Sequence, residues 1–368
     1  MKILHFISGG ETGGSRKHVI TLLSKLPKDS VSLVVLQEGA LSKEAEEAGI
    51  DVHVFKQSSR YDLSVLNKLI RFIKDNSFDI LHTHGPRANL FGTYLKSRLD
   101  IIWVTTVHSD PKLDFMKTGV KGKAFTKLNM FALQKMDGYF AVSETFKQNL
   151  VSLGIPAAKV QTVYNGIEFT AEKAAPLSRE SLGVNENDFV MTMVARLHPI
   201  KGHEVVFKAI KSLNNPDMKL ILVGDGPIKE ELEELAAKEG LQAQVTFLGF
   251  RQNVDSIYGA SDVALLASYS ESFPLALLEA ANQHVPLITT DVGGVKELVK
   301  PGSTGWIVPI KDDKSLATAF ASAYEKKESG ELKQMGTKLY SFASSHFSLQ
   351  QLADSTMNYY KKLAAGKN

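Results

Sequence analysis

The sequence predicts an α/β protein made of two doubly wound parallel-sheet domains. Three observations carry this. At 368 residues the chain is longer than one hydrophobic core comfortably organises. Short β-rich runs alternate with amphipathic helical stretches, which is the pattern of βαβ units around a parallel sheet. The alternation also pauses once, in the polar segment Asn165–Asn187 with its Pro176, and then restarts.

In the first half the expected strands are Ile3–Ile7, Ser32–Leu36, Asp51–Phe55, Ile80–His82, Ile101–Val107, Gly138–Val142 and Val160–Val163. Helical spacing of apolar residues marks Arg16–Leu26, Leu63–Ile73 and Ala88–Leu95 between them. After the pause come strands Phe189–Val194, Lys219–Val223, Gln244–Leu248, Val263–Leu266, Leu287–Thr289 and Gly305–Val308. Helices Glu204–Leu213, Ile228–Ala237 and Leu275–Gln283 alternate with them, and Ser315 to Leu363 reads as helices only. The expected division is a first domain over 1–170, a linker over 171–187, a second domain over 188–347 and a C-terminal helix within 348–368. Open α/β sheets bind ligands beyond the carboxyl ends of their strands. Two such domains facing each other would form a cleft for a nucleotide and a second substrate.

Hydrophobic residues at 43% and charged residues at 23% fit a soluble globular chain. There is no cysteine, which excludes disulfides and thiolate metal sites and fits a reducing compartment. The first apolar run is too short for a signal peptide and reads as a strand. No segment approaches the length of a transmembrane span. Residues 1–170 carry 22 Lys and Arg against 16 Asp and Glu, a net of +6, while the remainder carries 21 against 24, a net of −3. The basic half lacks the Arg-rich or aromatic-interleaved tracts of nucleic-acid binders, so no nucleic-acid partner is expected.

The most informative motif is Ser270-Glu271-Ser272-Phe273-Pro274-Leu275-Ala276-Leu277-Leu278-Glu279. Pro274 suits the first turn of a helix, where its missing N–H costs nothing. Glu271 then precedes the helix and Glu279 lies on its second turn. The helix N-terminus between them can hold a diphosphate, and a carboxylate on each side can grip hydroxyls of a nucleotide-sugar. By itself the segment reads equally well as a loop glutamate followed by an ordinary helix glutamate.

Other motifs fall at strand–helix junctions. Ser8-Gly9-Gly10-Glu11-Thr12-Gly13-Gly14-Ser15 is not a Walker A, yet its glycines permit close approach and bare N–H groups for an anion. Arg196 and Lys201, in Ala195-Arg196-Leu197-His198-Pro199-Ile200-Lys201-Gly202, place two cations where a diphosphate would need them. In Gly224-Asp225-Gly226, Asp225 reads as a helix cap. His108, in Val107-His108-Ser109-Asp110, ends a strand of the first domain, where a lone histidine is more often structural. His82 and His84 have metal-like spacing but no apparent third ligand, so no metal is expected. Lys112–Lys135 holds six lysines against one acid, Asp114, with Phe115, Met116, Phe125, Leu128, Met130 and Phe131 interleaved. It reads either as a basic, apolar face docking on an anionic membrane or as a core-packed helix with solvated lysines.

Together these residues make the chain resemble the large family-4 group of retaining glycosyltransferases, which have the GT-B fold. The matching pieces are Gly-Gly-Glu-Thr-Gly-Gly at 9–14, Val-His-Ser at 107–109, Ala-Val-Ser-Glu at 141–144 and Val-Tyr-Asn-Gly-Ile-Glu at 163–168. They continue with Ala-Arg-Leu and Lys-Gly within 195–202, Val-Gly-Asp-Gly-Pro at 223–227, Glu271-x7-Glu279, and Gly293-Gly294 with Glu297. Each is weak alone, but the ordered set spans essentially the whole chain.

The resemblance implies that Glu279 binds the donor ribose and that Arg196 and Lys201 neutralise the diphosphate. It implies that Glu271 and the backbone around Phe273, Pro274 and Leu275 hold the transferred sugar and phosphates. Gly13, Gly14 and Gly224 would line the diphosphate, the base would lie near Phe250 and Arg251, and His108 would contact the transferred sugar. The C-terminal helix would brace the first domain. The implied reaction is retaining transfer from a nucleotide-sugar, UDP-linked, without metal or other cofactor, to an acceptor such as a lipid-linked glycan of bacterial surface polysaccharide synthesis. Peripheral contact with an anionic membrane would run through Lys112, Lys117, Lys121 and Lys123, and would hold a cytoplasmic protein to the inner face of the membrane. The alternative is a UDP-sugar 2-epimerase of the same fold, against which the two glutamates and the His-Ser loop argue. A non-catalytic membrane- or partner-binding module is the third reading, which the set of cations and carboxylates disfavours.

Overall fold

The computed structural model describes residues 1–11, 14–58, 62–108 and 119–367, and only the backbone of residues 119–121 and 123. The chain divides into two units, Met1–Gly166 with Leu349–Asn368, and Ile167–Ser348. Each is a Rossmann-like parallel-sheet domain.

In unit 1, β1 (Ile3–Ile7), β2 (Val31–Val35), β3 (Asp51–Val54), β4 (Ile80–His84), β5 (Ile102–Val107), β6 (Gly138–Ala141) and β7 (Val160–Thr162) pair in parallel, in the order β3-β2-β1-β4-β5-β6-β7. Strands buried on both faces read as near-continuous apolar runs, and β1, β2, β4 and β5 are buried along their whole length. The order reverses between β1 and β4, which makes the carboxyl ends of those strands the switch point where such sheets bind ligands. β4 runs to His84, two residues beyond its expected end, and its register sets His5 opposite His82.

The C-terminal helix Leu349–Ala365 belongs to this unit. Its Leu349, Leu352, Tyr359 and Tyr360 share a core with Ile3, Val19, Val104 and Phe140, and each buried leucine contributes about 2 kcal/mol. Tyr359 Oη donates to the Lys159 carbonyl at 2.5 Å. A Cβ at Gly138 would sit 2.8 Å from that same hydroxyl, so the glycine at the start of β6 lets this tyrosine settle against the strand.

In unit 2, β8 (Phe189–Val194), β9 (Met218–Val223), β10 (Val245–Gly249), β11 (Val263–Leu266), β12 (Leu287–Thr290) and β13 (Gly305–Val308) follow the order β10-β9-β8-β11-β12-β13. The switch point here lies between β8 and β11. The segment 171–187, expected as a linker, is packed onto this unit. Ala174 N–H donates to Gln283 Oε1 at 2.9 Å and Leu177 N–H to the Ser256 carbonyl at 3.0 Å. Leu182 and Val184 enter a cluster with Val190, Ile221 and Ile257. Asp262 Oδ2 accepts from Arg179, Lys327 and the Val190 N–H at 3.1, 3.0 and 2.8 Å, tying the segment to the sheet. The polar composition of 171–187 hides this, because its anchors are backbone groups and a few scattered apolar residues. Among the described residues no helix is long and apolar enough to cross a membrane.

Candidate functional site

The loops leaving the carboxyl ends of β8, β9 and β11 are stitched to one another. Ala195 N–H donates to the Val223 carbonyl at 3.0 Å, Leu197 N–H to Asp225 at 2.9 Å, and Tyr269 N–H to Ile200 at 2.8 Å. Two glycines allow this closeness. A Cβ at Gly202 (φ +72°) would lie 2.1 Å from the Ala267 carbonyl oxygen, and one at Gly224 (φ +138°) 2.1 Å from that of Ala195.

The stitching brings Lys201 to Glu271. Lys201 Nζ donates to Glu271 Oε1 at 2.5 Å, and Ser268 Oγ donates to the same oxygen at 2.6 Å. The Ser268 carbonyl is itself held by Thr290 Oγ1 at 2.6 Å. The two side chains are 20% and 13% exposed, so the pair is shielded enough to be well oriented and open enough to meet a ligand. Separate jobs were expected for these residues, but in the ligand-free chain they form one element. Arg196, exposed on the same loop, supplies the charge that Glu271 does not offset.

The helix Leu275–Asn282 follows. Pro274 lies just before it, at the N-cap with φ −76° and ψ 112°, and not in the first turn as expected. No side chain caps this helix; Leu277 N–H turns back to the Pro274 carbonyl at 3.2 Å, and the end carries the partial positive charge of a helix N-terminus. Glu271 precedes it, and the half-buried Glu279 is on its second turn. Gly294 N–H donates to the Ser272 carbonyl at 2.9 Å, and a Cβ at Gly293 (φ +51°) would lie 2.4 Å from the carbonyl oxygens of Glu271 and Ser272. Phe273 is buried, its ring 5.1 Å from that of Phe347. This loop is thus fixed from below and from the side. Beyond β10, Phe250 is 71% exposed, an aromatic face available for stacking beside the exposed Arg251. Asp225 Oδ1 accepts from the N–H of Gly226 at 2.8 Å. It braces its own turn and does not cap the helix Lys229–Lys238, whose N-cap is Ile228.

In unit 1 the glycine loop differs from expectation. The N–H groups of Gly9 and Ser8 donate to Glu11 Oε2 and Oε1 at 2.7 and 3.2 Å, so they are not bare donors for an anion. Gly14 opens the helix Gly14–Lys25, and a Cβ there would meet nothing within 4 Å. Gly13, Lys112 and Lys117 lie outside the described residues, as do the side chains of Lys121 and Lys123.

His108, half-buried past the end of β5, pairs through Nε2 with His84 Nδ1 at 3.5 Å and lies edge-on to His18, with ring centroids 4.7 Å apart. Burial pushes its pKa well below the usual value, helped by His18, so it is neutral at pH 7. The missing third partner of His82 and His84 is His5, on the neighbouring strand. A histidine within each of two buried strands was the signal, but it becomes legible only once β1 is known to lie beside β4.

In the helix Gly119–Leu133, Phe125, Leu128 and Phe131 are exposed, while Asn129 is buried. The core-packed reading does not hold for that face.

A model of the group 1 glycosyl transferases matches residues 175–340, and one of glycosyltransferase family 4 matches residues 12–170. N-acetyl-alpha-D-glucosaminyl L-malate synthase of Bacillus anthracis is 30% identical, covering 74% of this chain and 72% of its own. UDP-Gal:alpha-D-GlcNAc-diphosphoundecaprenol alpha-1,3-galactosyltransferase of Escherichia coli is 29% identical over 72% of this chain and 71% of its own. Among solved structures, Anabaena HepE in complex with UDP superposes with a TM-score of 0.87 at 22% identity, covering 98% of this chain and all of that one. At that identity the likeness speaks for the fold.

Proposed function

The chain belongs to the family-4 glycosyltransferases, and from that premise we propose a retaining, metal-independent transfer from a UDP-linked sugar to a lipid-linked acceptor. The observation that carries this is the Lys201–Glu271 pair set beside an uncapped helix N-terminus at the switch point of unit 2. As the bond from sugar C1 to the β-phosphate oxygen breaks, the acceptor hydroxyl oxygen bonds to C1 with configuration kept, its proton passes to the departing phosphate oxygen, and UDP leaves. Lys201, Arg196 and the helix N–H groups meet the charge that develops on the leaving diphosphate, and fixed donors of this kind supply most of the rate acceleration in many enzymes. Because these donors are fixed in place, the reading needs no divalent ion.

Glu279 takes the ribose hydroxyls, Glu271 the transferred sugar, Phe250 and Arg251 the base, and His108 the sugar contact that the resemblance assigns. UDP as the carrier is supported by the UDP complex of the Anabaena protein, and a polyprenyl-linked acceptor by the substrate in the Escherichia coli relative's name. A donor screen by nucleotide release tests the reading, with sugar turnover from UDP donors expected and turnover from GDP donors alone sinking it. Within that assay Glu279→Ala should raise the donor KM about 10–100-fold with kcat little changed, since it removes charged hydrogen bonds made in ground and transition state alike. An unchanged KM would remove Glu279 from the ribose site.

We further propose peripheral membrane contact through the lysine-rich helix Gly119–Leu133 and the lysines that precede it in the sequence. Exposed Phe125, Leu128 and Phe131 beside Lys127 and Lys135 support it, because exposed apolar clusters of this kind mark contact surfaces. Co-sedimentation with anionic vesicles should fall in high salt and fall further in Leu128→Ser/Phe131→Ser. Equal pelleting of the variant and the parent would rule out this face.

A further inference from the structure

Four histidine rings, a tyrosine and a threonine form one continuous hydrogen-bonded chain inside unit 1. His108 Nε2 pairs with His84 Nδ1 at 3.5 Å, and His84 Nε2 with His5 Nδ1 at 3.0 Å. His5 Nε2 pairs with Tyr360 Oη at 3.3 Å, Tyr360 Oη with His82 Nδ1, and His82 Nε2 with Thr106 Oγ1 at 2.7 Å. Apart from half-buried His108, every member is buried, His5, His82, His84 and Tyr360 at 1% exposure or less.

Burial drives the His5 pKa down to about 3, and those of His82, His84 and His108 well below the usual value. It drives the Tyr360 hydroxyl up. At neutral pH each ring therefore holds one donor and one acceptor, and Tyr360 keeps its proton. Such a chain can point only one of two ways, because the tautomer of each ring dictates that of the next.

The buried end decides the direction. Among the described residues the Thr106 hydroxyl meets no acceptor but His82 Nε2, and a buried O–H without an acceptor is costly. Thr106 therefore donates to His82 Nε2, and His82 Nδ1–H to Tyr360. Tyr360 donates to His5 Nε2, His5 Nδ1–H to His84 Nε2, and His84 Nδ1–H to His108 Nε2. We infer that this chain locks His108 in the Nδ1–H tautomer, so that His108 presents a hydrogen-bond donor, with His84, His5, Tyr360, His82 and Thr106 as positioning residues. An imidazole free of such a constraint carries its proton mainly on Nε2, so the arrangement reverses the ordinary preference. A metal is the rival use of these rings, since the ligand atoms of His5, His82 and His84 lie within 4.8 Å of one another. Each of those nitrogens is already paired, and no carboxylate joins the group among the described residues, so a dication would be buried at the expense of the chain.

The effect on transfer rests on the reading that His108 serves the transferred sugar, but the tautomer does not. Two-bond 1H–15N correlation spectra of the full-length, 15N-histidine-labelled protein at neutral pH should show His5, His82, His84 and His108 all as Nδ1–H. Nε2–H at any of the four overturns the inference. In His84→Leu, His108 should revert mainly to Nε2–H and kcat should fall about fivefold at unchanged donor KM, as the competent tautomer becomes the minority. A His108 that keeps Nδ1–H in that variant also overturns it. Should His84→Leu fail to fold, the tautomers of the unaltered protein decide alone, since that spectrum needs no variant. A tautomer switch without any change in kcat would uphold the chain and remove His108 from the transfer step.

Discussion

Lys201→Ala should lower kcat for sugar transfer by about two to three orders of magnitude, the usual loss when one fixed donor to a developing negative charge is removed. The fold should survive. Glu271 keeps its hydrogen bond from Ser268 Oγ at 2.6 Å, and at 13% exposure water can reach the carboxylate, so the stability cost stays near the ~1 kcal/mol of a partly exposed ion pair. Chemistry and stability therefore separate cleanly: the melting temperature should move by a few degrees while turnover collapses. Lys201→Arg should not restore activity, because a planar fork cannot occupy the point position that an ammonium holds 2.5 Å from Glu271. Glu271→Ala should abolish transfer as well, since it both loosens Lys201 and removes the grip on the sugar. Full activity in either alanine variant would sink the assignment of the site.

Gly202→Ala should be nearly as damaging for a different reason. The residue sits at φ +72° with its would-be Cβ 2.1 Å from the backbone oxygen of Ala267. The left-handed conformation costs an L-residue about 1–2 kcal/mol, and relieving a clash with backbone costs roughly 1–3 kcal/mol more. The clash matters more for function, because its only relief is to part the loops after β8 and β11, which separates Lys201 from Glu271. Gly240→Ala is the matched control, with φ +75° and nothing within 4 Å of the added atom, so it should show the conformational cost alone and keep full activity. Thermal melting and UDP titration calorimetry on the two variants would decide. Equal melting and equal UDP affinity would show that the close approach at Gly202 does not hold the site.

Much of this was legible in the sequence. The alternation of apolar runs placed the strands to within a residue or two, because parallel strands buried on both faces read as near-continuous apolar runs. The motif glycines and charges could be assigned to strand ends for the same reason. Other features could not be read. Lys201 and Glu271 are 70 residues apart, and nothing local says that they touch. The glycine loop near the N-terminus has the composition of an anion cradle, but Glu11 occupies the amides of Ser8 and Gly9. Phe125, Leu128 and Phe131 read equally as a docking face or as core, and only the structure shows that face exposed, because composition shows that a face is apolar and not what covers it. His5 does not stand out beside His82 and His84, because strands β1 and β4, though adjacent, are far apart in the chain.

Two of those misses, the Lys201–Glu271 pair and His5, share a cause. Whether a stretch is strand or helix, and which residue types stand at its end, depends on neighbours along the chain, so composition and spacing carry it. Which ends meet depends on strand order. In a parallel sheet that order is fixed by crossover packing and by the single reversal beside β1 and β8. Strand order decided that the ends bearing Lys201 and Glu271 would be neighbours, and that three distant strands would set His108, His84, His5 and His82 side by side under the docked C-terminal helix.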